Sequence, residues 1–186
     1  MARARKSSST RKSASRSRRA SGARQPDAIA ALKADHRQVE AWFAEFEKAR
    51  TSQRRLELAR NICKALTVHT SIEEEIFYPA FLEATGDLDT HHEAEIEHAG
   101  AKKLIAEIEG SGPEDEYYDS RVKVLSEMIK HHVNEEERAG GMFAEARKSQ
   151  MDLQVLGEEL NERKRQLMSA APPASGRRES RPGAVS

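Results

Sequence analysis

The sequence predicts an all-α fold: an antiparallel up-down-up-down four-helix bundle with an extra C-terminal helix and a disordered tail at each end. Three observations carry this. Apolar residues recur at three- and four-residue spacing in four long segments, and no segment alternates with period two over strand length. The connections between those segments are short, which forces sequential helices to run antiparallel. Each segment carries one well-placed histidine, His36, His69, His98 and His132, and two of these have a glutamate four residues later, Glu73 and Glu136.

Residues 1–26 hold nine Lys and Arg and no acid in a Ser/Arg/Ala-rich stretch. Such a stretch cannot bury enough apolar surface to fold and reads as a disordered basic tail. Residues 27–150 form the bundle. The first helix opens at Pro26-Asp27, a good helix start, and runs to about Arg50 with Ile29, Leu32, Val39, Phe43 and Phe46 on its apolar face. Ser52 is placed to cap the second, whose face carries Leu56, Ala59, Ile62, Leu66, His69, Glu73 and Phe77; Pro79 predicts a kink or an end. After a turn at Gly86, Thr90 and Glu93 make a capping box that opens the third helix, which runs to about Glu109. Ser111 and Glu114 offer another box for the fourth, which continues through Tyr118, Val122, Leu125, Met128, Ile129, His132 and Glu136 until Gly140-Gly141 interrupts it. Residues 151–170 form the extra helix, with Leu153, Leu156, Leu160 and Leu167 on one face, and 171–186 a second disordered tail.

With 186 residues the chain fits one domain plus tails, and with 33% charged and 5% aromatic residues its core must be aliphatic. No apolar run approaches the roughly 20 residues that span a bilayer, so no membrane partner is expected. No apolar stretch of a secretory signal follows the basic start, although Arg- and Ser-rich, acid-free starts also resemble transit peptides. The single cysteine, Cys63, excludes an intramolecular disulfide and suits a reducing, cytoplasmic setting; it reads as a small buried apolar residue. The zero net charge hides an asymmetry: residues 27–170 hold 19 basic and 30 acidic residues, a balance of −11. The basic tail can make weak, salt-dependent and non-specific contact with nucleic acid, but it has no aromatic residue to stack on bases.

An i,i+4 His–Glu pair lies on one helix face. Two such pairs and two single histidines on four helices are the parts of a metal site inside a bundle. Counting residues from the helix ends at about 1.5 Å each brings the candidates to one layer, except that His98 and His132 differ by about 10 Å if the fourth helix starts at Glu114. Imidazole and carboxylate donors suit iron, manganese or zinc, and the lack of thiolate argues against a soft-metal site. Two carboxylates from different helices can each bridge two metals. Blander readings fit the neighbours. His91 reads as a capping or supporting residue; His92, His131, Glu40, Glu74, Glu75, Glu135 and Glu137 read as solvated faces.

At ADHRQVE with His36, HTSIEEEIFYPAF with His69 and Glu73, EHAGAKKLI with His98, and HHVNEEERAGGMF with His132 and Glu136, the chain resembles the haemerythrin-like HHE cation-binding family over residues 27–150. The resemblance implies a carboxylate-bridged centre of two non-haem irons, in preference to manganese or zinc. His36, His69, His98 and His132 would be terminal ligands, and Glu73 and Glu136 bridging ones. It departs from the oxygen-carrying members on the third helix, where they place a second histidine four residues from the first; here Ala94 precedes His98 and Lys102 follows it. Three functions stay open: a protein that binds or senses oxygen, nitric oxide or iron; a redox enzyme, for instance a peroxide-degrading one; and a tail-driven nucleic-acid-associated protein.

Overall fold

The computed structural model describes residues 25–169. The two tail expectations therefore lie outside the described residues, apart from Gln25 and Pro26. Helix α1 (Ala28–Lys48) starts where the sequence places it, with Asp27 accepting the Ala30 N–H at 2.8 Å. Helix α2 (Ser52–Ile72) is capped one residue earlier than expected, by the Thr51 hydroxyl, which accepts from Arg54 N. It does not end at Pro79. A wider π-helical turn covers Glu73–Phe77, and α3 (Tyr78–Thr85) continues the rod. Pro79 explains the turn: it has no N–H to give and its ring crowds the carbonyl four residues back. The backbone widens just before it, so that Tyr78 N–H reaches the Glu73 carbonyl five residues back. Gly86, at φ 69°, closes α3 in the left-handed conformation that glycine adopts without strain.

Helix α4 (Leu88–Glu109) begins ahead of the predicted Thr90–Glu93 box. Asp87 is the cap; it accepts both the N–H and the hydroxyl of Thr90. The second box also fails. Ser111 turns its hydroxyl back onto the carbonyls of Glu107 and Ile108, and a run of turns delays α5 (Tyr118–Glu137) by four residues. This repairs the register that the sequence leaves poor. His132 lies 14 residues into α5 and His98 lies 11 from the end of α4, a mismatch of only about one turn. Short α6 (Met142–Lys148) follows Gly140-Gly141, and α7 (Leu153–Ser169) is the extra helix.

The long helices pair as α1 with α2 and α4 with α5; α2 also packs on α4, α1 on α5, and α7 lies along α1 and α2. There is no strand among the described residues. The apolar core has two parts. One includes Val39, Phe43, Leu58, Ile62, Leu66, Ala101, Ile105, Leu125 and Ile129; the other includes Ile29, Leu32, Ile72, Phe77, Ala94, Met142, Phe143 and Leu160. Cys63 belongs to the first part, and burial pushes its thiol up to about 12. His36, His69 and His98 each stand, along their helices, between a residue of one part and a residue of the other; His132 follows Ile129 of the first part, and the second part resumes after it at Met142 on α6. Helical spacing therefore places a polar layer across the bundle between two apolar plugs.

Candidate metal centre

The structure brings all six candidate residues into that layer and buries them: His36, His69, His98, His132, Glu73 and Glu136 are each 5% exposed or less. The imidazoles form two pairs. His36 Nε2 lies 3.0 Å from His69 Nε2, and His98 Nε2 lies 3.2 Å from His132 Nε2. The glutamates join the pairs. Glu73 Oε2 is 3.2 Å from His69 Nε2 and 3.4 Å from His98 Nε2. Glu136 reaches His36 Nε2 with Oε2 at 3.4 Å and His132 Nε2 with Oε1 at 3.6 Å. Two groups of potential ligand atoms result, His36–His69–Glu73 and Glu73–His98–His132, which share Glu73.

A second ring of carboxylates surrounds this cage. Glu137 Oε1 lies 2.8 Å from His36 Nδ1, Glu74 Oε1 3.0 Å from His98 Nδ1, and Glu97 Oε2 2.7 Å from His132 Nδ1. Asp35 is the loose member, 3.6 Å from His69 Nδ1 and also paired with Lys164. The ring is cyclic. Asp35 on α1 faces the histidine of α2, Glu74 past α2 faces that of α4, Glu97 on α4 faces that of α5, and Glu137 on α5 faces that of α1. A carboxylate only accepts, so an Nδ1 bonded to one carries the proton, and in the neutral ring Nε2 is left as a bare lone pair. Lone pairs facing each other at about 3 Å in a buried layer need a cation between them, whether proton or metal. Both oxygens of Glu73 and Oε2 of Glu136 are buried with no hydrogen-bond donor. The donor set thus fits a cation bound by nitrogen and oxygen.

The charges agree with this reading. Burial, and then His69 beside it, pull the His36 imidazole down to about 4. Burial opposes the charge on Glu73, yet His69 and His98 hold it at about 2. Burial pushes Glu136 well above the ordinary carboxylate range, and the charge on Glu73 adds to the shift. Burial also disfavours charge on His69 and His132, but Glu73 beside the first and Glu136 beside the second raise them.

Tyr78 completes one half of the cage. Its hydroxyl donates to Glu136 Oε1 at 3.3 Å and lies 3.1 Å from His98 Nε2. The other half meets carbon instead: Phe143 stacks on His36 with ring centroids 5.8 Å apart. Helical spacing predicts Phe77 on the ligand face, four residues after Glu73. The π turn adds one residue, so the place in the cage goes to Tyr78, and Phe77 packs on Phe143. The outer carboxylates were also missed or misread, with Glu74 and Glu137 expected to be solvated. A usable signal exists, since each adjoins a cage residue in sequence: Asp35 by His36, Glu74 by Glu73, Glu97 by His98, and Glu137 by Glu136. Glu75 and Glu135 do stay at the surface, paired with Arg163 and Arg138. His91 packs edge-on against the Tyr78 ring, exposed His131 pairs with Glu97, and Glu40 pairs with Arg37 outside.

A helical bundle with an interior cage of imidazoles and carboxylates defines the class as a cation-binding protein. The chain matches the Hemerythrin HHE cation binding domain over residues 27–142 and belongs to that family. A crystal structure of a Hemerythrin HHE cation binding domain-containing protein from Mycobacterium kansasii has the same fold, with TM-score 0.64 and 22% identity, covering 76% of this chain and 87% of that one. A protein of Nostoc sp. named DNA nickase is 31% identical over 106 residues, which are 57% of this chain but only 30% of that protein. No helix among the described residues is long and apolar enough to cross a membrane.

The cage makes metal removal pH-sensitive. Glu136, His69 and His132 have values raised on folding, and stability from such groups is lost as pH rises through the folded value. His36, held low, acts in the other direction, but only below its ordinary value of about 6.5. Chelator-stripped protein is therefore expected to melt lower at about pH 8 than at about pH 6.5, with metal-loaded protein melting higher at both. Calorimetry showing a stripped form that melts no lower at the higher pH would contradict this.

Proposed function

We propose that the cage holds two non-haem irons, one at His36 and His69 and one at His98 and His132, with Glu73 and Glu136 bridging them. The observation that supports this most is that each carboxylate spans both imidazole pairs, whereas a single ion would leave one pair of lone pairs face to face. Manganese and zinc accept the same donors. Six protein donors shared by two cations leave coordination positions for a small ligand, which suits iron better than the closed four-coordinate habit of structural zinc.

Bound iron would supply electrons and open coordination positions, and the centre is proposed to bind or sense oxygen or nitric oxide. The protein residues do the rest. The two apolar plugs keep bulk water from the layer. Glu97 and Glu74 hold His132 and His98 in orientation, and Tyr78 offers a hydroxyl at that half while Phe143 offers none at the other. A peroxide-degrading or other redox enzyme is the second reading, and the Tyr78 hydroxyl, held between Glu136 and His98, is the feature that favours it. The name of the Nostoc relative concerns DNA. For this chain we propose no more than salt-dependent, non-specific phosphate contact through residues 1–26.

Elemental analysis of protein purified without added metal is expected to find about two irons per chain, falling sharply in His69→Ala and unchanged when residues 1–26 are deleted. One zinc per chain, indifferent to His69→Ala, would refute the assignment. The gas reading has its own test. Reduced protein mixed with nitric oxide or oxygen in a stopped-flow spectrometer should change its absorption, and Tyr78→Phe should alter the rate or the final spectrum with metal content retained. No response to either gas would defeat it, while repeated turnover of added peroxide would favour the enzyme.

A further inference from the structure

The Gly140-Gly141 interruption has no part in holding the cage, and it borders a polar cavity of about 40 Å³ between α4 and the end of α5. The floor of the cavity is His132 and Glu136, both cage residues. Glu136 is 2% exposed, and its Oε2 faces into the cage, 3.4 Å from His36 Nε2, where it accepts no hydrogen bond. Glu93, Glu97 and Glu135 line the way out, with Arg138 paired to Glu135 as the single cation among them. Gly140 turns with φ 78°, and Gly141 lies so close to the end of α5 that a Cβ there would come 2.2 Å from the Glu135 carbonyl. The chain thus crosses the mouth with no side chain at these two positions.

A larger groove of about 290 Å³ opens between α1 and α5, but it suits a cation poorly. Phe43, Ile129 and Val133 line it, Arg37 and Lys130 offset Glu40 and Glu137 in its wall, and Glu137, tied to Arg37, lies against the Nδ1 side of His36. A hydrated divalent cation entering there would lose water to carbon and find no net negative charge to replace it. In the small cavity, carboxylate oxygens can replace its waters one at a time, as hard cations require.

We propose that the cavity under Gly140-Gly141 is the port by which divalent cations, Fe²⁺ among them, reach the cage. Glu93 and Glu135 attract the ion at the mouth, and Glu136 takes over its coordination at the floor, past Glu97, which stays bonded to His132. This rests on the reading of the cage as a metal centre. Steering of this kind raises an entry rate and fades with salt, but it does not change the final occupancy.

The test uses full-length, chelator-stripped protein mixed anaerobically with Fe²⁺ at low ionic strength, with free Fe²⁺ followed by the quenching of calcein. Glu93→Gln/Glu135→Gln is expected to slow uptake about tenfold with the total taken up unchanged, since neither side chain belongs to the cage. The second substitution also leaves Arg138 unpaired at the mouth. Added salt should bring native and variant rates together. Glu40→Gln, at the α1–α5 groove, should leave the rate as it is. A native-like rate in the double variant, or an equal slowing by Glu40→Gln, would overturn the port. No uptake by the native chain would overturn the metal centre, and the port with it.

Discussion

Carboxylates on the outer nitrogens of the imidazoles dictate what the interior of this bundle presents. With Glu137, Glu74 and Glu97 holding Nδ1 of His36, His98 and His132, the Nε2 atoms point inward, in pairs about 3 Å apart. Two glutamates in the same layer have oxygens that meet no donor. Leaving a buried charge unpaired costs several kcal/mol, so so dense a polar layer between two apolar plugs is tolerable only with compensating positive charge. Protons can supply part of it, and the raised values of Glu136, His69 and His132 are the form that takes in the metal-free chain. Cations of higher charge do so without asking carboxylates to hold protons.

The backbone serves this layer at particular points. Pro79 forces a wider turn at Glu73–Phe77, and the added residue exchanges a phenyl ring for a phenol at the edge of the cage. The turns after Gly110 delay α5 until His132 comes level with His98. Helix α7 packs along α1 and α2, and its Lys164 holds Asp35, the loosest of the outer carboxylates. The two halves of the cage are therefore built differently, with Phe143 at one and Tyr78 at the other.

Much of this was legible in the sequence. The 3.6-residue period found the long helices, and the single histidines with their i,i+4 glutamates marked the residues that the fold gathers, because helical spacing is a local property. What was not legible depends on contacts between helices or on competition between caps. Thr90 looked like a cap until Asp87, three residues earlier, took its N–H and its hydroxyl. Ser111 looked like the start of a helix but serves the end of the preceding one. Glu74 and Glu137 looked solvated because each bonds to a histidine on another helix, at which only their place beside a cage residue in the sequence hints. Tyr78 was missed because a π turn shifts the helical phase by one residue.

In the proposed centre, two cations share Glu73 and Glu136 between two imidazole pairs. Anomalous diffraction from crystals of the iron-loaded protein, recorded at the iron edge, tests it most directly. Two peaks are expected in the polar layer, one about 2 Å from the Nε2 atoms of His36 and His69 and the other equally close to those of His98 and His132, with Glu73 and Glu136 between them. A single peak, or iron held by the outer carboxylates with the Nε2 atoms uncoordinated, would contradict it.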